Sequence, residues 1–235
     1  MIVLFDNISL REDLTPGWGF SAYLESPEHR ILFDTGADGA VLLSNMAKLS
    51  VDPKSVDLVV LSHNHWDHTG GLVELLDKNA AVTVYLGSSF PTSFHNEVRK
   101  KGAQAVEITA PQPLGKDVYT TGELTDGIAE QALILKTKEG LVVFTGCAHP
   151  GIVNIVRRAK EYLELPIDLV GGGFHLSSLN RRELKEVVEQ LQGLGVKRVA
   201  PSHCTGQRAE QFFQQTWGED FVRIGCGAQI PLEWA

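Results

Sequence analysis

The stretch Leu58-Val59-Val60-Leu61-Ser62-His63-Asn64-His65-Trp66-Asp67-His68-Thr69-Gly70-Gly71-Leu72 decides how this chain is read. Asp57 to Ser62 is an apolar run of buried-strand type that stops abruptly in polar residues. Three of the chain's 8 histidines lie directly beyond it. In an extended segment, side chains two apart project to the same side, so His63 and His65 can approach one ion together. Asp67 and His68 come after the chain has begun to turn and can face a second position nearby. Imidazole nitrogens suit Zn²⁺, Fe and Mn²⁺, and a carboxylate adds a hard, charge-balancing ligand. A lone histidine is ordinarily a surface or hydrogen-bonded core residue, and His29 and His95 are read that way. Four potential ligands crowded at the mouth of a strand are different, because desolvating and protonating them together is costly without a cation.

Outward from this segment, strands and helices alternate. Ile2 to Asp6 reads as a first strand, and Phe20 to Glu25 with Arg30 to Asp34 as a hairpin around Ser26-Pro27-Glu28-His29. A helix is predicted over Gly39 to Leu49, another over Gly71 to Asp77, and a strand over Val82 to Gly87. The second half has the same texture. Ala132 to Lys136 and Leu141 to Thr145 flank the tight connection Glu139-Gly140. Gly151 to Leu163 has helical apolar spacing, and Ile167 to Gly171 is a strand closed by glycines. Asn180 to Leu194 is an amphipathic helix with Asn180 as cap, Glu183 three residues on and Gly195 as stop. Val196 to Ala200 and Phe221 to Ile224 are the last strands expected. No Ser-, Pro- or Gly-rich linker divides the chain, so one domain over residues 1–235 is expected. Helices spread among strands in two similar halves suggest two packed sheets with helices outside.

Composition narrows the functional classes. The 43% hydrophobic and 21% charged fractions are those of an ordinary globular protein. The opening MIVLFDN reads as a strand rather than a signal peptide, and no apolar run approaches the ~20 residues that cross a bilayer. Three cysteines without paired spacing argue against a disulfide framework, and a cytoplasmic location is expected. A net charge of −8 disfavours a nucleic-acid partner. The basic clusters at Arg99-Lys100-Lys101, Arg157-Arg158 and Arg181-Arg182 read as solvated helix faces, or as collectors of a small anion.

The segment LVVLSHNHWDHTGGL resembles the HxHxDH signature of the metallo-β-lactamase superfamily. ILFDTG resembles that superfamily's first motif, in which Asp34 supports the metal shell. Ala200-Pro-Ser-His203 resembles the late strand whose terminal histidine closes the site. The motifs run in the right order over nearly the whole chain, and they imply an α/β metallo-β-lactamase fold, a four-layer αββα sandwich with metals at one edge. The middle of the chain departs from the pattern. Cys147 stands where a metal-bridging aspartate is expected, with His149 two residues on. The histidine expected ahead of this hairpin is missing, leaving Asp126 and Glu130 as the strong ligand candidates there. Cys147 is either a thiolate ligand or a small buried thiol.

LVVFTGCAHPGIVNIV, DLVGGGFHL and VAPSHCTG resemble the dihydropteroate-synthase-like branch of that superfamily. The resemblance implies that His175, within Gly-Gly-Phe-His, binds substrate phosphate or supplies an extra ligand, with a structural role as the alternative. Two local features agree with a small anionic substrate. CAHPG leads into a helix whose first N–H groups would be free, and Gly171-Gly172-Gly173 would let backbone approach a ligand.

The leading expectation is a hydrolase acting on a small, phosphate-containing anion through a metal-bound hydroxide. His63, His65 and His149 would hold one of two divalent ions, and Asp67, His68 and His203 the other. Zinc is favoured, with Mn or Fe as alternatives. Asp67 would also orient the attacking water or protonate the leaving group. By resemblance, the same centre could instead join a dihydropterin diphosphate to an aminobenzene ribofuranosyl phosphate. An iron redox enzyme and a non-catalytic ligand-binding protein are further alternatives. Oligomeric state leaves no trace in the sequence.

Overall fold

The computed structural model describes residues 1–235. Its first half contains β1 (Ile2–Phe5), β2 (Ser21–Glu25), β3 (Arg30–Phe33), α1 (Gly39–Lys48), β4 (Leu58–Val60), α2 (Trp66–Thr69), α3 (Leu72–Lys78), β5 (Thr83–Gly87), α4 (Thr92–Lys100) and β6 (Gln104–Ile108). Its second half contains β7 (Gln112–Gly115), β8 (Val118–Thr120), β9 (Leu133–Thr137), β10 (Gly140–Thr145), α5 (Ile152–Leu163), β11 (Ile167–Gly173), α6 (Arg181–Gly193), β12 (Arg198–Ser202) and α7 (Gln207–Trp217).

The strands form two six-stranded sheets, one per half, each in sequence order. Each begins with antiparallel pairs and ends with parallel ones: β3 to β6 are parallel neighbours, as are β10 to β12.

Alternation along the strands builds the layers. In β4, Leu58 and Val60 face the other sheet, where Leu133, Leu135, Val142, Phe144 and Leu169 meet them. Val59 faces the opposite way, against Leu42, Met46, Leu72 and Leu75 of the outer helices. In β10, Val142 and Phe144 point between the sheets, while Leu141 and Val143 pack against Ile152, Val156, Leu184, Val188 and Phe213. Three apolar layers thus separate four structural ones, which is the αββα sandwich. The expected capping at Asn180 is present as a reciprocal capping box with Glu183.

One expected strand does not form. Phe221 makes a single bridge to Val199, and the chain then leaves the sheet. The Cys226 N–H donates to Ile8 O, the Gly227 N–H to Val3 O and the Ile230 N–H to Met1 O. The tail serves the edges of both sheets, so it stays in register with neither. The glycines of β11 also differ from expectation, because they form no turn. A Cβ on Gly171 would meet the Phe144 ring at 2.5 Å, and one on Gly173 would meet Gly146 O at 2.4 Å. These residues are glycine so that neighbouring chain can approach, not to admit a ligand.

Candidate metal centre

All the strands that supply the site end at one edge of the sandwich, the usual place for ligand-binding residues in open α/β sheets. β3 delivers Asp34 there, β4 the His63–His68 segment, β10 Cys147 and His149, β11 His175, and β12 His203. Their ligand atoms fall into groups with internal separations within 4.8 Å: His63, His65 and His149; Asp67, His68, Cys147 and His203; and Cys147, His175 and Cys204.

The outward-facing ring nitrogens have fixed partners. Asp34 Oδ2 lies 2.7 Å from His68 Nδ1, and Ser62 Oγ lies 2.9 Å from His63 Nδ1. Ser62 donates its hydroxyl to Asp34 at 2.7 Å, and its N–H donates to Asp34 Oδ1 at the same distance. One buried carboxylate therefore orients a histidine of each group, His68 directly and His63 through Ser62. His203 Nδ1 has the Asn7 amide oxygen at 3.0 Å, and the Asn7 amide donates to His203 O. Buttressing of this kind leaves the opposite nitrogen free for a cation.

The inward nitrogens fit that use. His149 Nε2 and His203 Nε2 are buried without a hydrogen-bond partner, although His203 Nε2 is 3.4 Å from Asp67 Oδ2. His63 Nε2 and His65 Nδ1 face each other at 3.0 Å, which requires a proton or a shared cation between them. Cys147 Sγ is 3.3 Å from His68 Nε2. Orphaned nitrogens beside a carboxylate and a thiol are a donor set suited to borderline divalent ions.

The charges in this cluster respond to one another. Burial, then the neighbouring imidazoles His68, His149 and His65, push the His63 imidazolium far below its usual pKa. Burial also lowers His149, with His175, His65 and His68, to about 4. Burial pulls on His68 as well, but Asp34, by charge and hydrogen bond, outweighs it and raises the pKa. Asp67 is pushed up by burial, yet the close approach of His203 and the charge of His68 bring it down to about 2. Cys204 Sγ donates to Cys147 O at 3.5 Å, and the closeness of the two thiols raises Cys147 and lowers Cys204, which also has His175 beside it.

Two sequence expectations need correction here. Glu130 faces the centre but offers no free oxygen to an ion. Oε1 accepts the N–H groups of Gly146, Cys147 and Ala148, and Oε2 accepts that of His149, at 2.9–3.1 Å. For the same reason the start of CAHPG is not an open anion site, because the protein's own carboxylate fills it. Asp126 is exposed and belongs to none of the donor groups. Sequence reading missed Asn7, Ser62 and Cys204. Ser62 and Cys204 adjoin recognised ligands, which was a usable signal, whereas Asn7 lies 196 positions from His203 in the chain. His95 is buried within α4 and His29 is half-buried, and neither is in a donor group.

The metallo-beta-lactamase superfamily model matches residues 14–203, and this chain belongs to that superfamily. It is 31% identical to the 7,8-dihydropterin-6-methyl-4-(β-D-ribofuranosyl)-aminobenzene-5′-phosphate synthase of Methanocaldococcus jannaschii, over 86% of this chain and 84% of that one. It is 24% identical to the exodeoxyribonuclease WalJ of Streptococcus pneumoniae, over 72% and 67% of the two chains. Among solved structures, a metal-dependent hydrolase of the β-lactamase superfamily superposes with a TM-score of 0.81. It is 30% identical, with 99% of this chain and 98% of that one covered. No helix is long and apolar enough to cross a membrane.

Proposed function

We propose that this protein is a metal-dependent hydrolase that cleaves an ester-like bond in a small, phosphate-containing anion. The observation that carries this reading is the pair of adjacent donor groups tied together through Asp34. In it, His63, His65 and His149 would hold one divalent cation, and Asp67, His68 and His203 would hold the second, with Cys147 beside the latter group. When bound, the two cations supply Lewis-acid activation of water and of the substrate's phosphoryl oxygen.

The protein's own groups set the geometry around that chemistry. Asp34, Ser62 and Asn7 hold imidazoles in the tautomer that points a bare nitrogen inward. Asp67, with a pKa of about 2, is ionised at neutral pH. It therefore accepts a hydrogen bond from water rather than protonating a leaving group. Zinc is the favoured metal because the donors combine nitrogen and sulfur. With a net charge of −8, recognition of a small anion falls to the cations and not to a basic surface, and extended nucleic acid is disfavoured.

A second reading keeps the centre and changes the reaction. The 31% identity to a synthase supports transfer, in which an aminobenzene nitrogen displaces diphosphate from a dihydropterin. Trp18, about half exposed with its ring 5.2 Å from His203, offers a planar surface beside the centre for an aromatic substrate.

Metal analysis of protein purified without added metal tests the common core, and less than about half an equivalent of Zn, Fe or Mn overturns it. Assay of the metal-loaded protein on phosphoesters separates the readings. Hydrolysis by the wild type, abolished in His65→Ala, supports the first. Diphosphate release only when both pterin and aminobenzene substrates are present replaces it with the second.

A further inference from the structure

β10, β11 and β12 are parallel neighbours, so their carboxyl ends emerge side by side. Cys147, His175 and Cys204 are each the second residue beyond the end of one of these strands. A non-glycine residue in the left-handed region lies at or next to each donor: Ala148 at φ 61°, His175 at φ 53° and His203 at φ 52°. Such backbone is unfavourable for L side chains, and it persists where surrounding contacts hold it.

Those contacts tie the three exits together. Thr145 Oγ1 donates to Gly173 O at 2.6 Å, and the Gly173 N–H donates to Gly146 O at 3.1 Å. Thr205 Oγ1 accepts the Phe174 N–H at 3.0 Å and donates to Ser202 O at 2.6 Å. The result is a fixed cradle in which two sulfurs and one imidazole converge within 4.8 Å. Tetrahedral zinc with sulfur ligands at about 2.3 Å spaces them about 3.8 Å apart, a small contraction from this arrangement.

We propose that Cys147, His175 and Cys204 form a separate sulfur-rich site for a thiophilic divalent cation such as zinc, beside the binuclear centre and sharing only Cys147 with it. The two cysteines are buried, while His175 is exposed and leaves an open position toward solvent. Cys226 shows what a structural thiol looks like in the same chain. Its sulfur accepts the Asp6 N–H at 3.1 Å, and it belongs to none of the donor groups. The site rests on the metal-centre reading above only for the shared role of Cys147.

Cobalt(II) titration of the metal-stripped full-length protein tests this, read by bound-metal stoichiometry and by thiolate-to-cobalt charge-transfer absorption. The wild type and Cys226→Ser are expected to bind about three equivalents. Cys204→Ser and His175→Ala are expected to bind roughly one fewer, and the charge-transfer band is expected to fall in Cys204→Ser. Equal stoichiometry and equal bands in all four proteins overturn the site, as does a Cys147–Cys204 disulfide in the freshly purified wild type. His175→Ala alters an exposed side chain, so the test stands even where Cys204→Ser fails to fold. Failure of the binuclear centre reads differently: the wild type then binds no cobalt beyond the amount lost in His175→Ala.

Discussion

The two sheets supply the centre in different ways. The first sheet provides His63, His65, Asp67 and His68 from one continuous loop after β4, with Asp34 beneath it. The second provides Cys147, His149, His175, His203 and Cys204 from three separate strand exits. The first arrangement is local, and one carboxylate is enough to organise it. The second is assembled from distant segments, so it relies on hydrogen bonds that tie the three exits to one another and on a buried carboxylate that gathers one exit into shape. A local motif withstands rearrangement elsewhere in the fold, whereas an assembled one depends on every element that brings it together.

The largest test of this contrast is Glu130→Ala. It leaves the N–H groups of Gly146 to His149 without their acceptor, three of them buried, and each buried loss costs about 1–3 kcal/mol. A drop of at least about 3 kcal/mol in denaturant unfolding is expected, along with loss of the second-sheet donors. Unchanged stability would mean that the loop holds its own shape. Next comes Asp34→Asn, which disturbs His68 directly and His63 through Ser62. Metal affinity is expected to fall about 10–100-fold for both ions, measured by competition with a chelator. Asn7→Ala removes only the partner of His203, so the loss is expected to be confined to one ion and to lie near the lower end, about 10-fold.

The smallest effect expected is a change in acid sensitivity after metal removal. His149 titrates near 4 in the folded chain against 6.5 in its ordinary state, and His63 is shifted the same way. A histidine with a depressed folded pKa stabilises the fold above its unfolded value and loses that contribution as pH falls. Metal-free protein is therefore expected to lose thermal stability between pH 6.5 and about 4, and His149→Gln to flatten that slope. His68, raised by Asp34, is charged in both states across that window, and its contribution is instead lost as pH rises above 6.5. A slope that is identical in His149→Gln would remove His149 from the account.

Legibility in the sequence follows the same division. The β4 segment could be read because its strand, its ligands and its following glycines are contiguous. The helix α6 could be read because Asn180 and Glu183 carry a cap in four residues. By contrast, β6 alternates weakly, with Gln104 and Glu107 exposed, and β7 contains Pro113, so neither stood out. α7 has Gly206 at its N-cap and no side-chain cap, so it carries no start signal in the sequence. Phe221 to Ile224 has strand composition, but its neighbours in space demand a crossing path. Glu130 could be seen as a polar residue in the right place. Its role depends on the left-handed Ala148 that turns four N–H groups toward it, and no local pattern records that.

By placing Glu130 in the backbone cradle ahead of α5, the chain has spent its natural anion receptor on itself. On the proposed reading, attraction for a phosphate would fall to the cations that the imidazoles would hold. The protein without metal should be nearly blind to inorganic phosphate, and metal occupancy should act as the gate on substrate recognition as well as on chemistry.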